Sequence, residues 1–176
     1  MIDVFLRWYP QGELRRAIAS VVNLRLAEIQ GIHVFLIPEG MPNYHIMSKS
    51  YAERVSASEI YCVIDDDQLP IADDFFKLGV EALANHPEYG MLAGFPLEYG
   101  LHGQPYAHRT EDVIEAHSIG CPYFVRKGTL SFPDGPLRQY DGILSKVVTD
   151  QGLKTGFARR CLYNHLGFGF SQIGET

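Results

Sequence analysis

Three adjacent carboxylates, Asp65, Asp66 and Asp67, close an apolar run, Tyr61-Cys62-Val63-Ile64, that reads as a buried strand. Two carboxylates about 4 Å apart repel by roughly 4 kcal/mol at an effective dielectric of ~20, so at neutral pH something must compensate them. Water, a basic side chain or a cation can do so. In an extended segment, alternation puts Asp65 and Asp67 on one side and Asp66 on the other, and the outer pair can converge on one ion. Carboxylates are hard oxygen donors, which favours Mg2+ or Mn2+ over zinc. In open α/β sheets ligands sit beyond the carboxyl ends of the strands, which is where these acids fall. The plainer alternative is an acidic surface turn, and the burial implied by Cys62-Val63-Ile64 argues against it.

The elements needed to position these acids can be read along the chain. Ile2 to Leu6 is a strand, and Pro10 and Gly12 interrupt the loop after it. From Glu13 to about Gln30, apolar residues at three- and four-residue steps predict an amphipathic helix ended by Gly31. Ile32 to Ile37 is a second strand, and a unit of this length favours a right-handed parallel crossover, hence a Rossmann-like half-sheet. Lys49 to Ser58 has helical character and leads into the strand Ile60 to Ile64. After the acids, Pro70 can open a helix whose apolar face is Phe75, Phe76, Leu78, Val80, Leu83 and Ala84, closed by Asn85-His86-Pro87.

Met91 to Phe95 is a fourth strand, and the polar stretch from Glu98 to Glu115 reads as a loop or hairpin over one end of the sheet. Pro122 to Val125 is a strand, about Gln139 to Gln151 a helix that Gly152 stops, and Thr155 to Tyr163 a last strand ending at Asn164-His165. The glycine-rich tail runs from Leu166 to Thr176. The expected fold class is α/β, a single domain over residues 1–176 with a mostly parallel central sheet flanked by helices.

Composition narrows the function. With 176 residues, 46% of them hydrophobic, the chain can bury one sizeable core. A net charge of -6 argues mildly against a dedicated nucleic-acid binder. Cys62, Cys121 and Cys161 are odd in number and lack the spacing of a structural zinc site, so they read as reduced core residues. His102, His108 and His117 are too irregularly spaced for a designed metal site. The N-terminus has no charged and apolar leader, and no apolar stretch reaches membrane-spanning length. The expectation is a soluble, unexported, cytoplasmic protein without a membrane span.

In order and spacing these pieces resemble the GT-A glycosyltransferases, the nucleotide-diphospho-sugar transferases, particularly those of family 2 type. The likeness runs over nearly the whole chain. It comprises the opening strand with Arg7, the helix running into Ala19-Ser20-Val21-Val22, and Ile32-His33-Val34-Phe35-Leu36-Ile37. Then come Ser48-Lys49-Ser50, Val63-Ile64-Asp65-Asp66-Asp67 with Leu69-Pro70, Tyr140-Asp141 and the terminal His165. The resemblance implies one GT-A, Rossmann-like domain with a minimal C-terminal part.

It also implies a function: transfer of a sugar, of hexosyltransferase type, from a nucleotide-diphosphate donor, expected to be a UDP-sugar, to a hydroxyl acceptor. The DxD acids Asp65 and Asp67 hold Mn2+ or Mg2+ against the diphosphate, Asp67 as the more direct ligand, while Asp65 or Asp66 can instead face the ribose. A cation there stabilises the charge of the departing diphosphate without proton transfer. His165 stands where many relatives place a metal-binding histidine; a histidine exposed at a strand end is the alternative. Asp141 falls where inverting relatives carry the base that deprotonates the acceptor hydroxyl, although Tyr140 replaces the usual Glu before it and a helix-start Asp is the competing explanation.

Arg7, Lys49 and Tyr9 are candidates for the nucleotide, the first two through ionic pairing and Tyr9 by stacking. Their alternatives are ion pairs that neutralise the acids and a half-buried aromatic. Gly120-Cys121 is expected near the acceptor side. The acceptor can be a glycan, a small metabolite or a modified nucleobase, and neither it nor the oligomeric state is legible.

Three rival readings follow from the same acids. A HAD-type Mg2+-dependent phosphatase would use Asp65 as nucleophile and Asp67 as proton donor, but Leu69 is atypical there and a strand-helix-strand unit precedes the acids. A nucleotidyltransferase would carry a glycine-rich basic loop after the first strand, and residues 7–16 hold one glycine. A nucleotide-sugar binder without catalysis is the non-enzyme alternative, and Asp141 discriminates it.

Overall fold

The computed structural model describes residues 1–8, 29–36, 44–71, 73–97, 106, 108–130 and 141–165, with the side chains of 44–47 and 141–142 excepted. Among these residues one mixed eight-stranded sheet organises the chain. Its elements are β1 (Ile2–Trp8), β2 (Ile29–Leu36), α1 (Tyr44–Val55), β3 (Ile60–Asp65), β4 (Gln68–Pro70), α2 (Phe75–Asn85), β5 (Tyr89–Pro96), β6 (Val113–Glu115), β7 (Tyr123–Arg126), α3 (Asp141–Thr149) and β8 (Lys154–His165).

The strand order is β2-β1-β3-β7-β5-β8-β4, and β6 pairs with β8. Strands β1, β2, β3, β5 and β8 run one way; β4, β6 and β7 run the other. The sheet is therefore mostly parallel in direction, as expected, with β7 inserted antiparallel between β3 and β5. On β8, residues 156–158 pair with β6 and residues 163–165 with β4, so these two short strands lie along it in tandem.

The middle of the sheet is covered on both faces, which is why β3 and β5 read as continuous apolar runs. On β3, Ile60, Cys62 and Ile64 enter one cluster with Phe75, Phe76, Leu78 and Leu83 of α2. Tyr61 and Val63 enter the other, with Ala52 of α1 and Leu144 and Val148 of α3. This is the period-2 alternation of a strand with a buried layer on each side. Helix α2 approaches so closely that a Cβ at Gly79 would lie 2.2 Å from the Phe124 ring of β7. Pro87 follows α2 and stops it. Gly152, at φ +79, closes the turn after α3, its N–H donating to Thr149 O at 2.9 Å.

Several boundaries differ from the sequence reading. Gln30 and Gly31 belong to β2 and not to a helix end; Gly31 pairs with Asp3, and a Cβ there would meet Asp3 Oδ1 at 3.0 Å, so close approach explains the glycine. The helix expected from Glu13 falls, over 13–28, outside the described residues. Helix α1 starts at Tyr44, earlier than Lys49. Pro70 ends β4 instead of opening a helix, and on α2 Gly79 faces the core while Ala84 is exposed. Of the polar stretch 98–115, Val113–Glu115 forms β6, whose partner is β8 and not a hairpin arm; residues 98–105 and 107 lie outside the described residues.

Candidate active site

The acids stand at the carboxyl end of β3, and the parallel register of β1 and β3 sets Arg7 directly opposite Asp65. Arg7 Nε donates to Asp65 Oδ1 at 2.5 Å and a terminal guanidinium nitrogen, Nη2, to Oδ2 at 2.7 Å. Arg7 is 1% exposed, so this is a fork-to-fork pair inside the protein. The same Nη2 donates to Cys121 Sγ at 2.9 Å. Burial pushes the Asp65 carboxyl above the usual aspartate range; Arg7 opposes that push, Asp67 adds to it and Lys49 subtracts from it.

The extended alternation expected for the three acids holds only as far as Asp65. Asp66 and Asp67 form the turn from β3 into β4, and the Asp66 N–H donates to Arg7 O at 3.1 Å. The physical reason is the next residue: Gln68 already pairs with His165 on β8, so the chain must change direction within two residues. Asp66 is buried in that turn.

This pairing brings His165 to the acids. Its Nε2 lies 3.2 Å from Asp67 Oδ2; the Asp67 side chain is 5% exposed and that of His165 39%, so the pair opens to solvent on the histidine side. Two cis donors on an octahedral ion with bonds of about 2.1 Å stand about 3 Å apart, so this oxygen and nitrogen suit a divalent cation with an open coordination sphere. Among the described residues no group of three or more His, Cys, Asp or Glu side chains forms a fuller metal cage.

Lys49 on α1 is buried, with its ammonium 4.6 Å from the centre of the Tyr123 ring. It contributes charge near Asp65 from within the protein. Tyr9 lies outside the described residues. Asp141 begins α3, and its side chain lies outside the described set.

One participant, Gln68, escaped the sequence reading, and another, Cys121, takes a contact that it did not foresee. Gln68, 5% exposed, accepts the Asp65 N–H at 2.9 Å through Oε1 and donates to Cys121 O at 2.8 Å through Nε2. Cys121, expected near the acceptor side by its position alone, meets Arg7 through its sulfur. A polar residue that turns inward on a three-residue strand has no period to announce it. None of the three cysteines forms a disulfide, and all are buried.

The sequence matches no family model and no curated protein. The fold matches solved structures. A crystal structure of S. aureus TarS superposes with a TM-score of 0.64 at 12% identity, over 92% of this chain and 59% of that one. Glucosyl-3-phosphoglycerate synthase from Mycobacterium tuberculosis, in complex with Mg2+ and uridine diphosphate, gives 0.61 at 11% identity over 99% of this chain and 74% of that one. The same synthase with Mn2+, UDP-glucose and phosphoglyceric acid gives 0.58 at 13% identity, again over 99% and 74%. The chain thus spans less than two thirds of TarS and about three quarters of the synthase. With its mostly parallel sheet covered on both faces at its middle and this likeness over nearly its whole length, the chain has the GT-A fold of the nucleotide-diphospho-sugar transferases.

Proposed function

We propose that this chain is a glycosyltransferase of hexosyltransferase type, a single GT-A domain that moves a sugar from a UDP-sugar to a hydroxyl acceptor with inversion, using Mn2+ or Mg2+. The observation that carries the proposal is the Asp67–His165 pair, a carboxylate and an imidazole 3.2 Å apart beyond the carboxyl ends of parallel strands. The synthase of like fold, which holds Mn2+ with UDP-glucose, supports the choice of metal and donor.

Asp67 and His165 would hold the cation. When bound, it neutralises the charge that builds on the departing diphosphate. Asp65, tied to Arg7, keeps its carboxylate fixed at the strand end, facing the nucleotide side. Buried Lys49 adds positive potential beneath the diphosphate. Asp141, at the start of α3, takes the proton of the acceptor hydroxyl as that oxygen attacks the anomeric carbon. Tyr9 stacks on the base. Both oxygens of Asp65 accept hydrogen bonds from the Arg7 guanidinium, which draws charge from them and weakens them as nucleophiles, and this disfavours the phosphatase reading.

The test is a thermal-shift panel of nucleoside diphosphates and nucleotide sugars, each with Mn2+, with Mg2+ and with chelator, because a ligand of the native state alone raises stability by mass action. A metal-dependent rise with uridine diphosphate is the expected result. No rise with any nucleotide, together with a response to a phosphate mimic and Mg2+, would overturn the proposal.

A further inference from the structure

The donor-side acids and the segment before Tyr123 are joined by a closed ring of hydrogen bonds. The Asp65 N–H donates to Gln68 Oε1 at 2.9 Å, and Gln68 Nε2 donates to Cys121 O at 2.8 Å. Arg7 Nη2 donates to Cys121 Sγ at 2.9 Å and to Asp65 Oδ2 at 2.7 Å, which returns the ring to its start. The amide orientation of Gln68 follows from its partners: an N–H must face its oxygen and a carbonyl its nitrogen. Tyr163, which sits on β8 opposite Pro70, donates from its hydroxyl to the same Cys121 carbonyl at 3.2 Å. Gln68 itself pairs with His165 through the backbone. One buried side chain therefore ties the end of β3, the segment at Cys121 and the β4–β8 ladder that carries His165.

From this geometry we infer that Gln68 is a positioning residue, which fixes the Asp65–Asp67 turn against the Cys121 segment so that the donor site and the surface beside it form one rigid unit. The inference rests on the glycosyltransferase reading, because it gives the ring a role in holding a nucleotide diphosphate. The side chain suits this role, since it offers one acceptor and one donor at opposite sides of a planar amide, and neither a hydrocarbon nor a carboxylate of like size can serve both ends. Supporting hydrogen bonds of this kind behind metal or substrate ligands are worth roughly 10- to 100-fold in affinity or activity.

The experiment compares the full chain with Gln68→Met, which removes both bonds, and Gln68→Glu, which keeps an acceptor for the Asp65 N–H and loses the donor to Cys121 O. Two readouts are taken: the iodoacetamide alkylation rate of each cysteine, resolved by peptide mass spectrometry, and the Kd for uridine diphosphate with Mn2+. Cys62 and Cys161 serve as internal controls, because both are buried and burial pushes their thiols up. The expected result is a rise of about tenfold or more in Cys121 alkylation in both variants at unchanged Cys62 and Cys161 rates, with a Kd roughly 10- to 100-fold higher. An unchanged Cys121 rate, an equal rise at all three cysteines in both variants, or an unchanged Kd would overturn the inference while leaving the proposed function standing. Failure of the unmodified protein to bind any nucleoside diphosphate with Mn2+ would instead overturn the proposed function, and the inference with it.

Discussion

Arg7 and Asp65 face each other across two parallel strands at the same register position, and both oxygens of the carboxylate accept from the one guanidinium. Three adjacent acids coexist here because each meets a different environment. Asp65 is matched by a buried arginine, Asp66 is enclosed in the turn, and Asp67 meets an imidazole that reaches solvent. Asp67 is thus the acid whose partner is open to solvent, so a mobile cation can reach the pair from the histidine side.

Breaking the Arg7–Asp65 pair should be costly. Removing one partner of a buried pair leaves an uncompensated charge and costs about 3–5 kcal/mol, whereas replacing both by apolar groups restores much of that. Arg7→Met is expected to lower unfolding stability in this range by urea titration, and Arg7→Met with Asp65→Leu to lose clearly less than the sum of the single changes. Simple additivity would mean that the pair is not coupled in solution.

Asp67→Ala is expected to weaken metal-dependent binding of uridine diphosphate by more than roughly 100-fold, and His165→Ala by roughly 10- to 100-fold, with metal-independent binding little changed. Calorimetric titration with Mn2+ and with chelator reads both. Equal binding by Asp67→Ala and the unmodified chain would remove the cation from this turn.

Asp141 separates an enzyme from a binder. Loss of a general base costs typically 10^2- to 10^4-fold in rate, while donor affinity depends on other groups. Asp141→Asn is therefore expected to bind the donor normally and to lose transfer by that factor, measured as sugar released or transferred per unit time. Normal turnover in this variant would end the inverting mechanism with Asp141 as base.

Local signals carried much of this architecture and non-local ones did not. The strand Ile60 to Asp65 is legible because each of its apolar residues has a buried layer to face, and its acids stand out where that layer ends. Strand β4 is illegible: three residues, one polar and turned inward, find their partner in β8, far along the chain. Gly31 misled for a related reason, since a glycine required by the nearness of Asp3 looks in sequence like one that ends a helix. The resemblance to GT-A enzymes supplied His165, whose approach to Asp67 depends on the unseen β4 pairing.

Gly79 offers a test of packing. An added Cβ would lie 2.2 Å from Phe124 Cε1 and Cζ, far inside contact distance. Alanine gains up to about 1 kcal/mol of helix propensity over glycine, and overpacking a core costs typically 1–3 kcal/mol or more. Gly79→Ala is expected to destabilise on balance, seen as a lower denaturation midpoint at unchanged slope. A stabilised variant would mean that α2 can retreat from β7 without loss.

Asp3 gives the pH dependence its sign. Burial pushes its carboxyl up, but the N–H groups of Ala57 and Ser58 and the hydroxyls of Ser56 and Ser58 more than offset this, so its pKa lies below the usual 3.8. Oδ2 accepts from Ala57 N at 2.7 Å, Ser58 N at 3.1 Å and Ser56 Oγ at 3.1 Å. These bonds join the start of β1 to the segment between α1 and β3. A carboxyl whose folded pKa is depressed adds stability that is fully present above its unfolded value and is lost as pH falls through the folded one. Other carboxylates contribute in the same window, so the difference between variants isolates Asp3. Asp3→Asn is expected to be less stable at pH 7 by about 1–3 kcal/mol, through the loss of a charged acceptor for buried donors. Its stability should also fall less steeply than that of the unmodified chain as pH drops below about 4. Parallel curves for the two proteins between pH 5 and pH 2 would show that Asp3 releases no proton-linked free energy on folding, and that its ring of donors holds the neutral and charged forms equally.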